Sequence, residues 1–80
     1  MNRIDYTAPA ELFPGKNAKA TRRIGYRRFK SAAEAVRFAV EDMPAVLLRG
    51  AYLEVKEERF DGTQILNLYN AENFPLERAA

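Results

Sequence analysis

Asp61-Gly62-Thr63-Gln64-Ile65-Leu66-Asn67-Leu68-Tyr69-Asn70 admits two readings, and the choice between them sets the fold. Asp61-Gly62 is the dipeptide of a type I′ hairpin turn, which would join a strand at 52–60 to another at 63–69. Asp61 is equally a helix N-cap, with Gln64 three residues on to complete a capping box. Periodicity separates the two. Thr63, Gln64, Asn67 and Asn70 are the polar positions, while Ile65, Leu66, Leu68 and Tyr69 share one sector of a helical wheel. A strand would group Ile65 with Asn67 and Tyr69 and send Leu66 and Leu68 to the opposite face. The pattern predicts a helix over 62–70.

A helix there requires the preceding residues to supply the sheet. Ala51 to Lys56 alternates, with Leu53 and Val55 on one face and Tyr52, Glu54 and Lys56 on the other, as in a half-buried strand. The chain must then turn tightly around Lys56-Glu57 into a very short strand ending near Phe60, although neither residue is a good turn former. Upstream, the apolar run Ala45-Val46-Leu47-Leu48 ends at Arg49-Gly50.

Another helix is expected over 31–43. Ser31-Ala32-Ala33-Glu34 reads as a capping box, and Pro44 stops the helix because it lacks an amide and disfavours α geometry at Met43. Ala32, Ala35, Val36, Ala39, Val40 and Met43 form one apolar stripe, so small that this helix should approach its sheet closely. Glu34, Arg37, Glu41 and Asp42 lie opposite, with Arg37 and Glu41 spaced for an ion pair. Phe38 falls among these charges. It anchors a protein interface together with Arg37 and Glu34, or is covered by Leu12 or Phe13.

Within Thr21 to Phe29 a strand ending near Arg28 is expected, with Ile24 and Tyr26 on one face and Arg23, Gly25 and Arg27 on the other; Phe29 breaks the alternation by falling on the arginine side. Residues 1–20, with Pro9, Pro14-Gly15 and no sustained period, read as a flexible arm, pinned at most at Leu12-Phe13. Phe74 and Leu76 bracket Pro75 and hold the end of the domain, leaving 77–80 as a tail. Eighty residues allow one small domain. The expectation is thus an α+β domain over 21–76, ordered strand–helix–strand–short strand–helix, with its helices on one face of a small sheet. So short a core leaves little margin, which favours self-association.

The stretch Tyr26-Arg27-Arg28-Phe29, Ser31-Ala32-Ala33-Glu34-Ala35, Leu48-Arg49-Gly50-Ala51 and Arg59-Phe60-Asp61-Gly62 resembles a group of short uncharacterised bacterial proteins of about this length, over residues 22–76. The resemblance implies a shared fold and carries over no activity, cofactor or site residue.

Charge is unevenly spread. Residues 1–30 carry eight basic side chains against two acidic, and residues 31–80 carry five against nine, so a basic segment adjoins an acidic body. The sequence has neither cysteine nor histidine, which removes disulfides, thiol nucleophiles, thiolate or imidazole zinc sites and every imidazole base. Neither a phosphate loop nor a calcium loop is present. Glu54, Glu57, Glu58 and Asp61 read as a solvated acidic face. No catalytic residue, metal or cofactor is assigned. The longest uncharged apolar run, Met43 to Leu48, is far short of the ~20 residues of a membrane span, and Met1–Tyr6 lacks the apolar core of a secretory signal, so a cytoplasmic location is expected.

Recognition remains. The first expectation is a small non-enzymatic module that binds a protein partner or a second copy of itself through helix 31–43 and its flanking strand. The alternative is nucleic-acid binding through Arg22, Arg23, Tyr26, Arg27, Arg28 and Lys30, where guanidinium groups meet phosphates and a ring meets a base.

Overall fold

The computed structural model describes residues 4–13, 26–43 and 45–77. Four antiparallel strands, β1 (Ala10–Phe13), β2 (Arg27–Phe29), β3 (Tyr52–Val55) and β4 (Glu58–Asp61), form a sheet in the order β2-β1-β3-β4. Helix α1 (Ala32–Arg37) runs into a π-helical turn at Phe38–Asp42, a short helix α2 follows at Ala45–Leu48, and α3 spans Gly62–Asn70. The α+β reading and the helix at 62–70 both hold.

The first correction concerns the arm. Ala10–Phe13 is the second strand of the sheet, between β2 and β3, and Ala8, Ala10 and Leu12 are buried. Residues 5–8 are equally integrated. The first turn of any helix has amides without intrahelical acceptors, and here Ala32 N donates to Ala8 O at 2.7 Å and Ala33 N to Tyr6 O at 3.0 Å. Tyr6 Oη donates to Leu68 O at 3.0 Å, and its ring meets Phe74 edge-on at 5.8 Å. Residues 1–3 and 14–20 of the expected arm, and the tail residues 78–80, lie outside the described residues.

The expected strand within 21–29 is β2, three residues long; positions 21–25, with Arg22 and Arg23, lie outside the described residues. In α1, Ser31 Oγ accepts from Glu34 N at 3.2 Å, as its capping role requires. The helix then departs from α geometry. Met43 N donates to Phe38 O at 3.0 Å, five residues back, which widens the last turn. Glu41, expected to pair with Arg37, accepts from Tyr69 Oη through Oε2 at 2.6 Å. The α3 capping box is complete, with Gln64 N donating to Asp61 Oδ1 at 2.9 Å and Asp61 N to Gln64 Oε1 at 2.8 Å.

Strand register sorts side chains into two faces. Ala10 opposes Phe29, Leu12 opposes Leu53, and Leu53 opposes Phe60, so these residues point to one side. There α1 and α3 cover them. Ala32, Ala35, Val36 and Ala39 are fully buried, and the small stripe does bring helix and sheet close together. The start of α3 comes equally close to the end of α2: a Cβ on Gly62 would strike Leu48 O. Phe74 is buried beside Tyr69, ring centroids 5.3 Å apart, as expected for the end of the domain.

The turn expected at Lys56-Glu57 forms, and both residues adopt positive φ, 49° and 70°. This is the left-handed pair that a two-residue hairpin turn demands. Lys56 Nζ reaches Asp5 Oδ2 at 3.0 Å, tying the turn to the segment before β1.

Candidate functional site

The other side of the sheet has no helix over it among the described residues. Its occupants follow from the same register. Arg28, Glu11, Glu54 and Arg59 lie abreast on β2, β1, β3 and β4, and Phe13, Tyr52 and Asp61 lie abreast two residues along. Tyr26, the residue before β2, extends that second row.

The rings form a ladder. Phe13 and Tyr52 are stacked with centroids 4.7 Å apart and planes 14° apart, and Tyr26 lies 5.1 Å from Phe13 on its other side. Arg59 Cζ sits 4.8 Å from the Tyr52 centroid. A 4.7 Å separation equals the ~4.7–4.9 Å between strands, so the Phe13 and Tyr52 faces turn toward each other and their edges point outward. Aromatic edges carry partial positive charge.

Polar contacts fix the ladder's flanks. Tyr26 Oη donates to Glu11 Oε2 at 2.8 Å, and this bond, with the carboxylate beside it, raises the Tyr26 pKa above that of a free phenol. Arg59 Nε stands 3.9 Å from Glu54 Oε1. Glu11 and Glu54, directly opposed, are like charges side by side between two arginines. Beside them a depression of ≈ 170 Å³ is lined by Pro9, Glu11, Arg28, Glu54, Lys56 and Glu57.

Ahead of β1, where Asp5 meets Lys56, Thr7 Oγ1 and Thr7 N both donate to Asp5 Oδ1, at 2.6 and 3.0 Å. These bonds, together with Lys56, hold the Asp5 pKa down at about 2.

The residues singled out in the sequence are divided among these surfaces. Tyr26 and Arg28 lie on the uncovered face, and Lys30 is exposed just beyond β2. Arg27 points the other way, toward the helices, where its Cζ lies 4.7 Å from the Phe38 centroid and 5.6 Å from that of Phe29. Phe29 and Phe38 are 5.4 Å apart. Phe38 therefore has a cover, and it comes from β2. Leu12 is instead buried in the core, and Phe13 belongs to the opposite face of the sheet. Glu34 is exposed and Arg37 half-buried, away from the ladder. The sequence reading did not identify Phe13, Tyr52, Glu11 or Arg59 as site residues; only strand register unites them.

The acidic cluster is also divided. Glu54 and Asp61 are on the uncovered face, Glu58 opposes Val55 on the other, and Glu57 is in the turn. Among the described residues, no group of three or more acidic side chains could hold a metal ion. No helix among them is long and apolar enough to cross a membrane. Compared with protein families, curated proteins and solved structures, the chain has no match.

Proposed function

We propose that the chain is a non-enzymatic protein-binding module whose contact surface is the uncovered face of the sheet. One observation carries this: β1, β3 and the residue just before β2 each contribute a ring to a single row, Tyr26–Phe13–Tyr52, on the side that no described helix covers. Antiparallel sheets commonly leave one face to water, and that face is then polar. Here aromatic and arginine side chains occupy it, the types enriched at the energetic centres of protein interfaces.

The form of the surface also favours a macromolecule. The depression described beside Glu11 and Glu54, ≈ 170 Å³, falls below the ~300 Å³ at which small-molecule sites begin. Stacked bases fit the row less well than a protein does. Phe13 and Tyr52 already use their faces on each other, Tyr26 and Arg59 flank them, and Glu11 and Glu54 would meet phosphates with like charge. This moves the contact surface from helix 31–43, where Phe38 is covered by Arg27 and Phe29, to the opposite side of the molecule.

Site-specific photo-crosslinking tests the assignment. A benzophenone side chain at Tyr52 should form protein adducts in cells, and the same group at Glu34 on α1 should not. Adducts at 34 and none at 52 overturn the reading, and adducts at 52 made only of nucleic acid replace it with the alternative.

A further inference from the structure

The uncovered face holds two rows whose chemistries complement each other. The first reads Tyr26, Phe13, Tyr52, Asp61, and the second Arg28, Glu11, Glu54, Arg59, position for position across the four strands. Outward ring edges in the first row suit carboxylates, and the carboxylates of the second row stand at the same two central strands. At the ends, Asp61 shares β4 with Arg59, and Tyr26 shares its strand line with Arg28.

We propose that the partner of this face is a second copy of the chain, packed sheet to sheet about a two-fold axis that runs parallel to the rows and midway between them. This rests on the reading of the uncovered face as the contact surface. Such an axis lays the first row of each copy over the second row of the other. Asp61 then meets Arg59 of the second copy, Tyr26 meets its Arg28, and Phe13 and Tyr52 present their edges to its Glu11 and Glu54. Each contact occurs twice, as a self-complementary two-fold interface requires. Face-to-face sheets with nearly aligned strands are a standard packing.

Charge favours this axis over a two-fold that runs along the strands. An axis along the strands would place Arg28 over Arg59 of the second copy and Glu11 over its Glu54, like on like at every charged position of the second row. The chosen arrangement also answers the pairing of Glu11 with Glu54, which is unfavourable within one sheet: the second copy supplies both acids with ring edges.

Sedimentation velocity and amide NMR spectra of the full chain over a dilution series test the proposal. The expected result is a concentration-dependent rise to twice the chain mass, with shifts at Glu11, Phe13, Tyr52 and Glu54 and none at Glu34 or Arg37. Arg59→Glu should weaken association by about tenfold or more, because like charges then face each other at two symmetric contacts. Adding Asp61→Asn to that variant should recover part of the loss, since asparagine keeps the capping oxygen and removes the repulsion. A chain that stays monomeric at every soluble concentration overturns the second copy as partner and leaves the crosslinking result at Tyr52 to stand or fall separately. Tighter association in Arg59→Glu overturns the axis. Dilution shifts confined to α1 overturn both the dimer and the face.

Discussion

The two faces of this sheet are built from the same strands and held in different ways. On the covered face, Ala10, Leu12, Leu53, Val55 and Phe60 are all at most 3% exposed, and a second layer of alanine-lined helix completes their packing. On the uncovered face, Phe13 and Tyr52 are only half-buried, and their main contacts are with neighbours in the same layer. One face draws its stability from depth and the other from lateral contact. Adjacent residues of one strand should therefore respond very differently to truncation.

The sharpest comparison is Leu53 with Tyr52. Leu53→Ala removes a fully buried side chain and should lower stability by about 2–5 kcal/mol. Tyr52→Ala removes one ring from the ladder and should lower it by only about 1 kcal/mol. Denaturant unfolding of both variants measures this, and equal losses would end the distinction between faces. The covered side makes a second, smaller demand. Alanine normally strengthens a helix relative to glycine by about 1 kcal/mol, but at Gly62 the new methyl group would strike Leu48 O. Gly62→Ala should be destabilising by about 1–3 kcal/mol, read from the same unfolding curves.

Where β3 turns into β4, the expected effect reverses in sign. Glu57 has φ 70° without being glycine, so Glu57→Gly should stabilise the chain by about 0.5–1 kcal/mol, visible as a higher unfolding midpoint. The smallest effect belongs to Asp5, whose carboxylate is exposed. Its pKa is lowered from 3.8 to about 2 on folding. The unfolded chain therefore binds more protons between those values, and the Asp5 contribution is present above pH 4 and lost as pH falls through about 2. Thermal unfolding from pH 4 to pH 2 should show a shallower decline in Asp5→Asn than in the parent chain.

What the sequence made legible was local. The α3 boundary was readable because Asp61 and Gln64 cap it and four apolar residues share a sector. Strand β3 was readable from the alternation of Leu53 and Val55, and the two-residue turn from the lack of any other way to fit β4 before the cap. Strand β1 was not. Its buried positions are Ala10 and Leu12, and the strand follows Ala8-Pro9, a composition that gives no strand signal over four residues. Phe38 stood out in the sequence as an anomaly, and its cover comes from β2, which the helical wheel cannot represent. The candidate surface was the least legible part. Tyr26, Phe13 and Tyr52 belong to three separate stretches, and only the register of β1 against both neighbours makes them a row.

The place of β1 has a consequence for how the chain is made. Leu12 pairs with Leu53, 41 positions along, whereas β3 and β4 close through two residues and pass directly into α3. On a ribosome the segment that will occupy the middle of the sheet emerges early and waits for its partner, because long loops are closed late and local hairpins early. Until residues 52–55 have left the tunnel, β1 lacks the strand that pairs with it on its β3 side. The strand translated first is the one whose docking completes the molecule.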